Sequence, residues 1–502
     1  MSDVINVLQL GDKNWTDFYK LPENLIWNYE EVLLDIPKYA YDIVFLDKTV
    51  SDAEVLLLHK ATKAYTLFVT ENVTYTKEIE ILCKSKVAKP LPQNEIQAFL
   101  LEETKNYFAK PYGEKFFLDK LSVAQGFQGK VEWNGNYNVT LTGSFGQELH
   151  QIAFWRNTVP IFEGQAIELW LEYETEGDVE ISLEATQFFQ GTLSSIQQKW
   201  TFDESELKDV IILDNQMGMG QVFFSISAKG NGTLRIVALH DRYSRRGHGA
   251  FLPGGERYVT AKREEVFAYF DPGDMKPPLN VYFSGYKTLQ GFEGYNMLRK
   301  LGCPFLLITE PRLEGGSFYM GDEAYEAMIV NIIRDKMKQL GFSNDEVILS
   351  GLSMGTFGAL YYGCDILPHA MIIGKPLASI GDVAANERLH RPGGFPTSLD
   401  VLGFVEGKVS DGAVSKLNNR FWHKFEQVDW NRSKFIVSYM IEDDYDRTAY
   451  NELISRIHGE HVQVYGKGIH GRHNDNSPAI ISWFVSQYKR VLSEDFGRRI
   501  EK

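Results

Sequence analysis

Three rhythms of apolar and polar positions succeed one another along the chain. Over residues 1–118, short apolar runs alternate with helical spacings. "VINVLQL", "YDIVFLD" and "AYTLFVT" read as buried strands, with "DAEVLLLHKATK" and "QNEIQAFLLEETKNYF" as helices between or after them. That alternation predicts a small parallel α/β, Rossmann-like unit. Over 119–245 the period falls to two. "GKVEWNGNYNVTLTGSF", "QAIELWLEYETEGDVEISLEATQFF" and "GQVFFSISAKGNGTLRIVALH", with turns such as "NGN" and "GNG", predict a β-sandwich. "DRYSRRGHG" at 241–249 reads as a basic linker. From 246 to 502 the helix and strand alternation returns. "PLNVYFSGY", "CPFLLITEP", "DEVILSG", "AMIIG", "KFIVSYMIE" and "HVQVYG" are strands. "GDEAYEAMIVNIIRDKMKQLG" is a helix stopping at Gly341, and "SPAIISWFVSQYKRVL" a helix capped by Ser477 with Pro478 in its first turn.

Composition narrows this picture. A chain of 502 residues exceeds one hydrophobic core, and 44% hydrophobic residues supply several. Its 67 acidic against 52 basic residues give a formal charge of -15, and no basic stripe appears, which argues against general nucleic-acid binding. Three scattered cysteines suit a reducing compartment and show no zinc-type spacing, so no metal is expected. The opening "MSDVINVLQLGDKNW" has no signal-peptide pattern, and no run of about 18 apolar residues suits a membrane span. A cytoplasmic location is expected, with room for peripheral association at the inner face of the membrane. The first strand is not followed by G-x-G-x-x-G, which leaves dinucleotide binding unsupported. Trp133, Trp155, Trp170 and Trp200 either fill the sandwich core or offer a carbohydrate-contacting platform.

One stretch carries chemistry. "EVILSGLSMGTFGALYYG" sets G-x-S-x-G between a strand and a helix, the context in which a serine is forced into an exposed elbow at the top of an α/β sheet. Gly351 and Gly355 allow the bend and the close approach of helix to strand. Ser353 becomes the candidate nucleophile, and the backbone N–H of Met354 an oxyanion donor. A second donor is expected near Gly285 or Tyr286, after "LNVYFSG". A serine hydroxyl needs a base, and the partners in such folds follow in the order serine, acid, histidine. "FIVSYMIEDDYD" ends a strand in Glu442, Asp443, Asp444 and Asp446, and "VYGKGIHGRHNDNSP" brings His470 and His473 before the last helix. The C-terminal part therefore reads as an α/β-hydrolase-like domain, making the chain an α/β protein with a small α/β domain and a β-sandwich ahead of it.

"GLSMGTFGALYYG", "YMIEDDYD" and "GIHGRHNDN" resemble the second accessory secretory proteins of the accessory Sec system of Gram-positive bacteria, and the likeness runs over most of the chain. That resemblance implies serine-dependent O-acetylation of N-acetylglucosamine on glycosylated serine-rich-repeat adhesins, together with a role in their export. It sets the nucleophile on Ser353 and the histidine on His473. The acid stays open. The family residue type favours Glu442, register favours Asp443, and Asp444 is third. Implied partners are the first and third accessory secretory proteins, an accessory SecA-type motor and the adhesin. No bound cofactor is firmly implied, and no acetyl donor is named. A carbohydrate esterase and a non-enzymatic secretion adaptor on a hydrolase fold are the competing functions.

Overall fold

The structure is a computed structural model describing residues 4–35, 41–109, 113–192, 194–389 and 397–499. In the N-terminal part, β1 (Ile5–Leu10), β2 (Leu25–Glu30), β3 (Ile43–Leu46), β4 (Leu67–Val69) and β5 (Lys89–Pro90) form a parallel sheet ordered β2-β1-β3-β4-β5. β3 is buried at every position, the signature of a strand covered on both faces. Helix α1 (Asp52–Ala61) opens on a capping box between Ser51 and Glu54, and α2 (Lys77–Lys86) on the Thr76 hydroxyl. β2 goes unpredicted because "LIWNYE" is a half-exposed edge strand without an apolar run. The helix expected over 93–108 is broken, with a wide turn at Phe99–Glu103 between tight turns at Gln93–Glu95 and Thr104–Asn106.

The middle part is built on three long antiparallel strands, β6 (Asn138–Trp155), β7 (Ala166–Phe189) and β8 (Gly220–Tyr243), within a sheet of nine strands among the described residues. A row of glycines crosses all three. Gly143 pairs with Gly232 and Gly232 with Gly177, each at positive φ, and the β6–β8 register slips beside Gly230. Such positions kink a sheet, and apolar residues from both halves of each strand join one core, including Leu171, Leu183, Ile226 and Leu234.

The tryptophans do not make a platform. Trp155 and Trp170 are buried, and Trp170 is sandwiched by the guanidinium groups of Arg257 and Arg263 at 4.1 and 3.9 Å. Trp200 packs against the core, and only Trp133 of the four is exposed.

The basic segment at 241–249 is not a solvated linker. Arg245 is buried and donates to the carbonyls of Asn106, Phe108 and Phe251, while Arg246 donates to Asp214 and to the side-chain oxygen of Asn106. Guanidinium forks satisfied this fully join all three parts of the chain.

In the C-terminal part, β9 (Glu256–Val259), β10 (Glu265–Asp271), β11 (Leu279–Phe283), β12 (Phe305–Thr309), β13 (Val347–Leu352), β14 (Ala370–Gly374), β15 (Lys434–Met440) and β16 (Gln463–Ile469) form one sheet. Its order is β9-β10-β12-β11-β13-β14-β15-β16, antiparallel over the first three strands and parallel thereafter. This is the α/β-hydrolase arrangement. Helix α3 (Glu323–Leu340) stops at Gly341 at φ 73, as its pattern predicts. Helix α4 (Met354–Ile366) follows β13 directly. Between β14 and β15 lie three helices that no strand rhythm announces, α5 (Ile380–Leu389), α6 (Ser398–Glu406) and α7 (Asp411–Glu426). The last helix, α8 (Ser477–Glu494), begins one residue after its cap position, which Asn476 occupies in place of Ser477.

Candidate active site

The geometry at Ser353 starts with backbone crowding. A Cβ on Gly351 would strike the backbone of Gly355, and one on Gly355 would strike the carbonyl of Phe283 in β11. Helix α4 therefore rests directly on β11 and β13. The chain reverses between strand and helix in a single residue, and that residue is Ser353, held at φ 52, ψ -120. Such a conformation is costly for a side-chain-bearing residue and persists only where neighbours over-determine it. The Ser353 N–H donates to Gly374 O at 2.8 Å. The Thr356 hydroxyl donates to Ser353 O at 2.6 Å and accepts the Leu377 N–H at 2.9 Å. The elbow is thus pinned to the loop after β14.

Ser353 Oγ lies 2.8 Å from His473 Nε2, and His473 Nδ1 lies 2.8 Å from Asp443 Oδ2. His473 and Asp443 are both buried. A carboxylate can only accept, so Nδ1 carries the proton facing Asp443, and Nε2 of the neutral ring is left to accept from the serine hydroxyl. The Tyr445 ring lies 4.4 Å from the imidazole and limits its movement.

The four carboxylates after β15 divide their work. The other oxygen of Asp443 accepts the N–H of Tyr445 at 2.8 Å and that of Asp446 at 3.3 Å. Asp444 accepts the His473 N–H at 3.1 Å. Asp446 accepts the N–H groups of Ala378 and Ser379, both at 2.8 Å, and burial pushes its carboxyl up to about 6. Glu442, the alternative acid, does not face His473. It is exposed, lies 3.0 Å from His470 Nδ1 and accepts the Gly471 N–H at 2.6 Å, which holds its carboxyl below the usual range. Glu442 and Asp443 stand in the turn after β15, where Asp443 faces the ring and Glu442 faces His470 and the Gly471 N–H. His470 is likewise exposed and pairs with Glu442.

The oxyanion side departs from expectation at one position. Met354 is the first residue of α4, so its N–H has no partner within the helix and sits at the helix's positive end. Of the two positions expected to hold a second donor, the Gly285 N–H is given to Glu293 Oε2 at 2.6 Å, and Tyr286 lines the cleft. The loop from Gly285 to Gly294 is tied down from outside by Gln290. Its backbone exchanges hydrogen bonds with Gly113, its Oε1 accepts Arg242 Nε at 2.7 Å, and its Nε2 donates to His240 Nδ1 at 2.7 Å and Glu114 O at 3.1 Å. Opposite stands a second loop. Buried Glu310 collects the N–H groups of Ser317 at 2.7 Å and Tyr319 at 2.6 Å, and Arg312 Nε at 2.6 Å. It holds Phe318 and Tyr319 at positive φ and brings Phe318 to the wall of the cleft.

The cleft over Ser353 measures about 360 Å³ and is lined in part by Tyr286, Phe318, Tyr445 and Lys375. A serine relay, a helix N-terminus and a cleft of this size can carry out acyl transfer through a serine ester.

The comparisons with known proteins give this site a family. The family model for the accessory Sec system GspB-transporter, the second accessory secretory protein, matches residues 5–498. The chain belongs to the family of second accessory secretory proteins. The member from Streptococcus gordonii is 36% identical over 510 residues, covering 99% of this chain and 100% of the relative. The member from Staphylococcus aureus is 36% identical over 509 residues, covering 98% of this chain and 97% of the relative. A chain in the Glycosylation Associate Protein (Gap123) complex from Streptococcus agalactiae is similar throughout, with a TM-score of 0.88 at 36% identity over 99% of this chain and 100% of that one.

Other parts of this member of the family bear on cofactors and membranes. Among the described residues, Glu172, His240 and Glu265 lie close enough to hold a metal ion. Their atoms are already engaged: Glu265 pairs with Arg242 and Arg257, and His240 lies between Glu172 and Gln290. The donor set is that of a buried ion-pair joint. No helix of the described residues is long and apolar enough to cross a membrane. Thr356, Glu293, Gln290 and Lys375 escape sequence reasoning because each acts through backbone or cleft geometry that no spacing encodes.

Proposed function

We propose that this chain is a serine O-acetyltransferase that acetylates N-acetylglucosamine on glycosylated serine-rich-repeat adhesins and serves their export. The observation that carries the chemistry is the continuous relay from Ser353 Oγ through His473 to Asp443, at a serine held in a strained elbow. Ser353 Oγ attacks the donor's acetyl carbonyl carbon as His473 Nε2 takes the hydroxyl proton. The leaving group departs with that proton, and an acetyl ester remains on Ser353. A sugar hydroxyl then attacks the ester carbon and gives its proton to His473, which returns it to Ser353 Oγ as the serine–carbon bond breaks. The Met354 N–H stabilises the developing oxyanion. Family membership supports the export setting, with the first and third accessory secretory proteins, the SecA-type motor and the adhesin as partners at the inner membrane face.

The test is mass spectrometry of adhesin glycans from cells carrying the wild-type chain or Ser353→Ala. Acetyl groups on N-acetylglucosamine should vanish with Ser353→Ala while the protein still folds. Unchanged acetylation would overturn the assignment, and lost export with unchanged glycans would favour a secretion adaptor.

A further inference from the structure

The described mechanism leaves one buried charge in the cleft unused. Lys375 follows β14 directly, is 7% exposed, and lines the same cleft as Ser353 and His473. Its backbone is held at φ 61, a left-handed conformation that is unfavourable for a side-chain-bearing residue. Its N–H is fixed to Ser438 O at 2.8 Å, so the position is built into the sheet's end.

The ammonium sits without an ion pair among the described residues. Its hydrogen-bond partner is the Ser477 hydroxyl at 3.3 Å, and no carboxylate of the described residues pairs with it within 4.0 Å. Asp443 and Glu293 favour its charge through space, but Asp443 is engaged by His473 and by two backbone N–H groups, and Glu293 by the Gly285 N–H. Burial works against the charge and pulls the ammonium below the ordinary lysine value. Ser477 is the first residue of α8, whose N-terminus carries partial positive charge, so the helix repels a cation placed there. A lysine kept in a strained backbone, against a helix dipole and under-partnered, is a group reserved for a ligand.

We propose that Lys375 is an acceptor-binding residue, donating its N–H groups to oxygen atoms of a neutral sugar ring and so favouring sugar over water as the acceptor of the acetyl group. The surroundings fit a sugar. Tyr286, Phe318 and Tyr445 line the cleft, and aromatic side chains are partners for the apolar side of a pyranose. Glu293 lines the same cleft and balances the lysine's charge, which suits a neutral ligand better than an anionic one, as does the chain's formal charge of -15. This inference deepens the acetyltransferase reading and rests on it.

Two readouts on the full chain separate the inference from that reading. The first is acylation: the burst of p-nitrophenol released on mixing with p-nitrophenyl acetate reports ester formation at Ser353 and correct folding together. The second is binding of methyl β-N-acetylglucosaminide to the free protein, read by titration calorimetry, with the acetylated sugar formed from p-nitrophenyl acetate counted by mass spectrometry. Lys375→Met should keep the burst rate within about threefold of wild type, weaken sugar binding at least tenfold, and lower the sugar-to-water partition of acetyl by a similar factor. Lys375→Arg, which retains donors, should recover part of both. Equal sugar binding and partition in Lys375→Met and wild type would overturn the inference, as would absence of sugar binding to the wild type. A burst lost in Lys375→Met but restored in Lys375→Arg would also overturn it, by assigning the lysine to acylation. The acetyltransferase reading fails by a different result, a wild-type burst followed by hydrolysis alone while the sugar still binds.

Discussion

Two neighbouring carboxylates end β15, and only one reaches the imidazole. Asp443 accepts from His473 Nδ1 inside the protein, whereas Glu442 turns outward to His470 and the Gly471 N–H. Asp443→Asn keeps the volume but offers the ring an amide, which supports the wrong tautomer. Acyl transfer should fall by roughly 10³-fold or more. Glu442→Gln removes an exposed charge and should stay within a few-fold of wild type. Rates on an activated acetyl ester decide between them, and a large loss in Glu442→Gln beside an active Asp443→Asn would reverse the assignment. Ser353 and His473 were legible from sequence because the G-x-S-x-G elbow and a histidine between last strand and last helix are fixed by chain order. The choice between Glu442 and Asp443 was legible only as a pair. Which of the two faces the ring is set by the turn after β15, whose geometry spacing alone does not give.

Among the elements, strands with clear period-two or buried apolar runs were readable, and those shaped by tertiary contact were not. β3 and β13 declare themselves as apolar runs, whereas β2 is an edge strand with a mixed pattern. Helices α5, α6 and α7 fall between two predicted strands, where no β rhythm exists to mark them. The glycine row across β6, β7 and β8 lies within turn-like "TEGD" and "GNG" segments, yet these residues continue as strand. Gly232 stands at φ 148, and a Cβ there would strike the carbonyl of Glu176 on β7. Gly232→Ala should therefore lower stability by about 1–3 kcal/mol and be seen as a fall in thermal midpoint. Acylation of Ser353 below that midpoint should survive. An unchanged midpoint would show that the crease does not require glycine.

At the scale of the whole molecule, the β-rich middle part grips a loop that flanks the cleft. Gln290 sits in the loop after β11 and is gripped by Gly113, Glu114, His240 and Arg242 of the middle sheet. The loop flanking the cleft is thus positioned by a part of the chain that carries no catalytic group. Gln290→Ala frees that loop, and a displacement of about 1 Å at such a wall can cost on the order of 10²-fold in rate. We expect kcat on p-nitrophenyl acetate to fall at least tenfold with a smaller change in KM; an unchanged kcat would show that the two parts are mechanically independent. The segment "DRYSRRGHG" misled the sequence reading for the same reason. Arg245 and Arg246 look like a solvated basic run until three folded parts close around them. The central claim is that Ser353 carries the acyl group. Its most direct test is peptide mass spectrometry after brief exposure to p-nitrophenyl acetate and an acid quench. The wild type should carry an acetyl ester on Ser353, and His473→Ala none at that position. Acetylation confined to surface lysines in both proteins would contradict it.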